Sequence, residues 1–256
     1  MSSKEISASD LARPQFTRGV LAAAERRVIE QEFSSYVSEV LGMINDGKEA
    51  TVYLCRARPE ATDAEFVAAK MYRARKFRAF ATESTYINPE KVRDRRMRKA
   101  IQQRTRRGRD AAHQHWIERE WNALETLHTA GASVPRPYMR CGDGILMEYL
   151  GRGDTRAPAL IELALSREEA QRVLPLVLRD VEILLACGLV HGDLSAYNIL
   201  YLDDTPRLID LPQALRIDDA DDPWPLFLRD MTNVCDYFIR RGVEVDALDV
   251  ALRLWG

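Results

Sequence analysis

The sequence predicts an α+β fold in two lobes, a small antiparallel β lobe leading into a mostly helical one. Three observations carry this. Apolar runs of strand length, broken by glycine and polar turns, fill much of the stretch from Val40 to Leu150. A helix-starting box at Ser166–Glu169 opens a long apolar-periodic segment, and helical periodicity dominates from about Trp224 onward. The composition is that of a packed domain, with 46% hydrophobic and 30% charged residues over 256 positions. A chain of this size buries a full core without disulfide or metal staples.

The elements follow in order. Residues 1–15 read as a frayed tail, and Phe16 to about Phe33 as a helix with Val20, Leu21, Ala24, Val28 and Ile29 on one face. Val40–Ile44 is a short apolar run, stopped near Gly47. Ala50–Ala57 and Phe66–Tyr72 are strands. Asp110–Ala130 is an amphipathic helix stopped by Gly131, with Pro135 and Pro137 beyond. Tyr138–Cys141 and Ile145–Leu150 flank Gly142-Asp143-Gly144, a hairpin signal. The helix from Ser166 runs to about Cys187 before Gly188. Two strands follow, Asn198–Leu202 and Arg207–Leu211. The expected division is 1–35 for tail and first helix, 36–150 for the β lobe and 151–256 for the helical lobe.

Lys and Arg number 37 against 39 Asp and Glu, a net charge of −2. That excludes a strongly basic nucleic-acid binder as a description of the whole chain. The charge is uneven, however. Met71–Asp110 holds fourteen Lys/Arg against four Asp/Glu, or +10, and has no sustained amphipathic period. It reads as a solvated, flexible segment, 71–110, that offers a docking surface for RNA or an acidic partner. Asp203–Asp230 holds eight Asp against three Arg, or −5. Hard cations such as magnesium take oxygen ligands of that kind. The four cysteines are scattered without a CxxC pair, which argues against a zinc module or a disulfide framework and fits a reducing cytoplasm. The polar N-terminus lacks a signal peptide, and no apolar run reaches membrane-spanning length. A cytoplasmic protein without membrane contact is expected. His113 and His115 read as a surface pair. Trp224, between two prolines, reads as a packing anchor.

The chemistry concentrates in His191-Gly-Asp-Leu-Ser-Ala-Tyr-Asn198, followed twelve residues later by Asp210 at the end of the next strand. Phosphoryl transfer from ATP needs one carboxylate at the attacking hydroxyl, and an amide oxygen and a second carboxylate on magnesium. Asp193, Asn198 and Asp210 supply those types in that order. Upstream, Gly42–Tyr53 is a glycine-punctuated turn between strands, whose amides suit phosphate. It is not a Walker A loop. Lys70, among apolar neighbours on a strand, needs a charge partner. On the helix, Ile117, Trp121, Leu124 and Leu127 form the inward stripe. Glu120 falls roughly 45° from its centre and Glu118 roughly 115° away, so Glu120 is the partner chosen.

These residues resemble the RIO family of atypical protein kinases. The set is Gly47-Lys-Glu-Ala-Thr-Val-Tyr53, Ala69-Lys70, Trp116–Leu124, His191–Asn198 and Ile209–Gln213, within a span from about Val40 to Arg241. The resemblance implies a trimmed protein-kinase fold without activation segment or substrate-binding helices. It implies a serine/threonine kinase that autophosphorylates and uses ATP with Mg2+ or Mn2+; some members of the family act as ATPases in ribosome maturation. Asp193 would be the catalytic aspartate, with Lys70 on phosphate and Glu120 fixing it. Gly47, Lys48, Glu49 and Ala50 would cover the nucleotide. Met147 would be gatekeeper, with the backbones of Glu148 and Leu150 meeting adenine and Ser195 lining the site. Asn198 and Asp210 would hold the metal. Asn45-Asp46 stand where the family usually has Ser-Thr, and Gly192 stands where ordinary kinases have arginine. The first forty residues leave no room for the winged-helix extension of one branch.

Two other readings share the site. Small-molecule kinases of the aminoglycoside or choline type also show His-Gly-Asp-Leu, typically with His where Ser195 stands. A nucleotide-gated binding factor on a ribosomal particle would suit the +10 segment.

Overall fold

In the computed structural model, residues 23–73 and 106–256 are described. The β lobe is a five-stranded antiparallel sheet in the order β1-β2-β3-β5-β4. Its strands are β1 (Val37–Asp46), β2 (Ala50–Ala57), β3 (Phe66–Tyr72), β4 (Pro137–Cys141) and β5 (Gly144–Glu148). β2 and β3 have the expected bounds. β1 is longer than the Val40–Ile44 run because its pairing with β2 shifts register at three places. Each shift resets the in–out alternation, so no period of two survives in the sequence. β5 stops at Glu148, where Tyr149 and Leu150 leave the sheet as the link between lobes.

Two helices cover the sheet. α1 (Ala23–Glu32) lays Ile29 and Phe33, which follows its last turn, on one face, against Tyr53, Val67, Ala69 and Leu146. The part of the predicted helix before Ala23 lies outside the described residues. α2 (Arg106–Thr129) buries Ile117, Leu124 and Leu127 in a core that continues into the second lobe. The segment 71–110 needs correction at both ends: Met71 and Tyr72 belong to β3, and residues 106–110 to α2. Its remainder, 74–105, lies outside the described residues. The expected surface histidine pair is also corrected. Both lie on α2, and His113 is buried, with Nε2 3.3 Å from Asp143 and its ring edge-on to Tyr72. The helix turns His113 toward the sheet, a direction that the two-residue spacing alone does not show.

The helical lobe is built on α3 (Arg167–Ala186), α4 (Trp224–Ile239) and α5 (Ala247–Trp255). Ser166 Oγ accepts from Glu169 N at 3.2 Å, and Glu169 Oε2 accepts from Ser166 N at 2.7 Å, so the box starts α3 as expected. Trp224 packs edge-on to Trp255 at 5.5 Å, tying α4 to α5. Between those helices the chain breaks at Gly242, with φ of 80°, so the tail is two helices rather than one. The hairpin of β9 (Ile199–Leu202) and β10 (Thr205–Leu208) turns on Asp203 and Asp204, both at positive φ. That geometry suits Asp at a two-residue hairpin turn. β10 ends at Leu208, short of the predicted Leu211. Asp210, with φ of 65°, sits beyond it in a left-handed turn that no strand continues. Two-residue pairings β6 (Gly151–Arg152) with β7 (Thr155–Arg156), and β8 (Leu189–Val190) with β11 (Leu215–Arg216), are too short to leave a periodic trace. No helix among the described residues is long and apolar enough to cross a membrane.

Candidate active site

The site forms where β3, α2 and the β8–β9 and β10–β11 loops converge. Val52 of β2 pairs with Lys70 of β3, and Lys70 with Ile145 of β5, so the lysine sits on a central strand. Its side chain is 8% exposed. Lys70 Nζ donates to Glu120 at 2.7 and 3.0 Å and to Asp210 Oδ1 at 2.7 Å. One ammonium thus joins a strand of the first lobe, a helix beside it and a turn of the second lobe. Burial alone would lower the lysine pKa, but Asp210 and Glu120 outweigh it and push it up, so Lys70 stays charged. Burial and the Asp210 charge push Glu120 up, against Lys70 and the Leu211 N–H. Burial would raise Asp210 as well, yet Lys70 holds it below its ordinary value. Glu118, on the outer side of α2, is half exposed and stands 3.8 Å from Arg140.

The β8–β9 loop is fixed from two sides. Asn198 Nδ2 donates to the Asp193 carbonyl at 2.8 Å and stands 3.4 Å from Asp193 Oδ2. With its NH2 so engaged, Oδ1 is the end of the amide left for a cation. Ile209 N donates to the Asn198 carbonyl at 3.0 Å, which sets Asp210 beside the loop. Burial and Asp210 push the Asp193 carboxyl up. His191 is buried, and burial pushes its pKa down to about 4. It is neutral at pH 7, so the 3.1 Å contact makes Nε2–H the donor to the Ile209 carbonyl. Ser195 accepts from Asn198 N at 2.9 Å through its carbonyl and so shapes the loop with its backbone.

Asp230 is a candidate positioning residue to which the sequence reading gave no role. It lies on α4, is 1% exposed, and accepts from Gly192 N at 2.7 Å and Leu194 N at 3.1 Å. These amides flank Asp193. Asn233 Nδ2 donates to the Leu194 carbonyl at 3.3 Å, and Arg229 donates to the Gly192 carbonyl. The signal was present in the sequence as an aspartate inside an apolar helix face, where an unpaired charge is costly. Gly192 itself has φ of 81°, and a Cβ there would stand 2.7 Å from the Gln213 carbonyl. The arginine of ordinary kinases has no place at that position.

The turn between β1 and β2 closes through Gly47 N donating to the Ala50 carbonyl at 3.0 Å. Lys48 is exposed at its tip. Glu49 is half-buried, and burial, with Asp210 next, pushes its carboxyl up to about 7. The Glu49 carboxyl thus feels the charges of Asp210, Glu120 and Asp193. Asp46 faces away from them: it pairs with Arg73 and accepts from Thr51 Oγ1 at 3.3 Å. Met147 pairs with Ala68 across β5 and β3. Glu148 N donates to Arg136 O at 2.8 Å, and Ala157 N donates to Leu150 O at 2.8 Å. Glu148 also ties the lobes together, since Arg207 of β10 donates to its Oε1 at 3.2 Å.

The donor set suits a hard divalent cation shared with phosphate oxygens: one carboxylate, Asp210, and one amide oxygen, Asn198. Among the described residues no three His, Cys, Asp or Glu stand close enough to hold a metal by themselves. An ion held here would need its remaining ligands from phosphate and water.

Comparison with known proteins identifies the family. The RIO domain profile matches residues 51–251, a span that starts just past the Gly47–Ala50 turn and includes Lys70, Glu120, Asp193, Asn198, Asp210 and Asp230. The serine/threonine-protein kinase RIO1 of Caenorhabditis elegans is 33% identical over 207 residues, covering 80% of this chain and 38% of that protein. The human serine/threonine-protein kinase RIO1 is 30% identical over 220 residues, covering 82% and 35%. The RIO-type serine/threonine-protein kinase Rio1 of Methanocaldococcus jannaschii is 29% identical over 221 residues, covering 84% and 68%. The chain thus spans well under half the length of the two animal relatives. The two-lobed α+β fold is that of a trimmed kinase, with residues 211–223 standing between Asp210 and α4. The chain belongs to the RIO domain family.

Proposed function

We propose that this protein is a RIO-type serine/threonine protein kinase that transfers the γ-phosphate of ATP to a protein hydroxyl. The observation that carries this reading is the position of Lys70 Nζ, 2.7 Å from both Glu120 and Asp210. Glu120 orients Lys70 toward the α- and β-phosphates. Asp210 and the Asn198 amide oxygen hold Mg2+, which neutralises phosphate charge when bound. With phosphates at Lys70, the lysine would give up its contact with Asp210, and the freed carboxylate, with Asn198 Oδ1, would hold the metal. Asp193 accepts the proton as the hydroxyl oxygen attacks the γ-phosphorus and the bond to the β-phosphate oxygen breaks, releasing ADP. Its raised pKa suits that role. Gly47, Lys48, Glu49 and Ala50 cover the phosphates. With its carbonyl taken by Ala157, Leu150 has its N–H for adenine, beside the Glu148 backbone and behind the Met147 gatekeeper. Ser195 completes the nucleotide-binding set. Asp230 is a positioning residue that sets the Asp193 loop.

Incubation with γ-labelled ATP and Mg2+ tests the reading. Label should appear on the protein itself or on an added protein, and Asp193→Asn should keep ATP binding while losing transfer at least a hundredfold. Near-normal labelling by that variant would remove Asp193 from the mechanism.

The partner reading rests on charge. The 71–110 segment carries +10 and binds an RNA-rich or acidic partner such as a ribosomal particle, in a reducing cytoplasm. Replacing Arg95, Arg96 and Arg98 by alanine should weaken that binding and flatten its salt dependence, with basal ATP turnover unchanged.

A further inference from the structure

The turn that follows Asp210 is gripped from the other lobe. Asp210 has φ of 65° and no strand continues it, so the direction of its backbone depends on what holds residues 211–214. That stretch is a turn closed by Ala214 N donating to the Leu211 carbonyl at 2.9 Å. Two consecutive residues of α2 hold its two ends. Arg119 Nη2 donates to the Ala214 carbonyl at 2.6 Å, across 95 positions of sequence, and Glu120 accepts from the Leu211 N–H. Between those ends, the Gln213 carbonyl lies 2.7 Å from where a Cβ on Gly192 would stand, so the same turn abuts the loop of Asp193.

Glu120 has its role through Lys70. Arg119 directs a half-buried guanidinium at a neutral carbonyl rather than at a carboxylate. Burial pushes its pKa down, with the Asp219 charge opposing. Taking a cation part-way out of water costs free energy, and one peptide oxygen offsets that only in part. What the contact supplies is position, because the planar fork bonds in a fixed direction. Glu118, the residue before it, faces the other way, toward Arg140.

Two other contacts hold Asp210. Ile209 N donates to the Asn198 carbonyl at 3.0 Å on its N-terminal side, and Lys70 Nζ bonds its carboxylate at 2.7 Å. On the kinase reading, on which this inference rests, phosphates at Lys70 would end the second contact. The carboxylate would then keep its place through its backbone alone. We propose that Arg119 is a positioning residue for Asp210: by holding Ala214 it fixes the Leu211–Ala214 turn and keeps the Asp210 carboxylate beside Asn198 for a divalent cation when Lys70 has turned to phosphate. One helix, α2, thereby sets both the lysine, through Glu120, and the metal carboxylate, through Arg119.

Isothermal titration of the full chain with ATP, with and without Mg2+, is the test, alongside urea unfolding. Arg119→Met keeps an aliphatic stem and removes the donors. It should weaken ATP binding by roughly fivefold or more with Mg2+ and by less than about twofold without it. Arg119→Lys, which keeps a charged donor, should fall between Arg119→Met and wild type. Glu118→Gln should match wild type in both titrations. In an Asp210→Ala background Arg119→Met should add no further loss, because the carboxylate that it places is gone. An arginine that only supports the fold would weaken both titrations alike or lower the urea midpoint alone. Either result overturns the proposal, as does an Mg2+-dependent loss that persists without Asp210. Wild type that binds ATP with no Mg2+ dependence would remove the kinase reading and this proposal with it. If wild type shows that dependence and Arg119→Met retains it in full, only the role of Arg119 falls.

Discussion

The Asp230 carboxylate, buried on α4, accepts the backbone N–H of Gly192 at 2.7 Å, one residue before Asp193. With Leu194 N on its other oxygen, it holds the backbone N–H groups of the two residues on either side of Asp193, the proposed catalytic aspartate. Loop conformation is thus set from the helical core.

Asp230→Ala should leave two buried N–H groups without an acceptor. Each such loss costs about 1–3 kcal/mol, so the variant should unfold at lower urea concentration. Asp230→Asn keeps the volume but turns an NH2 toward one donor. It should retain most of the fold while kcat drops more than tenfold and ATP binding stays near normal. A variant with unchanged kcat would show that the loop holds its shape without this carboxylate.

Glu120→Gln removes one of the two anionic partners of Lys70. Breaking a buried pair costs about 3–5 kcal/mol in stability, and here Asp210 remains to offset part of it. The expected result is a KM for ATP at least tenfold higher with lower kcat. Glu118→Gln, on the exposed side of the same helix, should match wild type. Equal effects from the two would mean that the choice of glutamate rests on helix stability rather than on Lys70.

Asp210→Ala should weaken ATP binding in the presence of Mg2+ far more than in its absence, because the neutral Asn198 amide holds a divalent ion poorly alone. Isothermal titration with and without Mg2+ measures this. The same change frees Lys70 for phosphate, so metal-free ATP binding should be equal to or tighter than wild type. An unchanged metal dependence would place the ion elsewhere.

The His191 ring predicts a pH effect on stability. Its folded pKa, about 4, lies below the unfolded 6.5. Between those values the unfolded chain binds the extra proton, so stability is full above about pH 6.5 and is lost as the pH falls toward 4. At pH 4.5 the loss amounts to about 2–3 kcal/mol. Urea unfolding at pH 7 and 4.5 checks this against His191→Gln, which should show a smaller pH dependence by that amount. Equal slopes for the two proteins would mean that His191 titrates normally.

Much of this protein was legible as local chemistry. Apolar runs of strand length marked β2 and β3, Ser166 and Glu169 marked the start of α3, and the spacing of Asp193, Asn198 and Asp210 marked the candidate phosphoryl-transfer loop, because each depends on residues near one another in the chain. The helical angle of Glu120 was legible for the same reason. Other features came from the tertiary structure alone. The bulges of β1 erase its period, since register is set by the partner strand. Asp210 leaves β10 for a left-handed turn because it reaches across to Lys70, 140 residues away. His113 is buried because α2 packs it under the β4–β5 turn, and Asp46 is neutralised because β3 brings Arg73 beside it. Asp230 meets the Gly192 amide only after α4 packs beneath the loop. Local pattern determines which groups are offered. Burial and long-range pairing decide which charges meet, and so which of them do the chemistry.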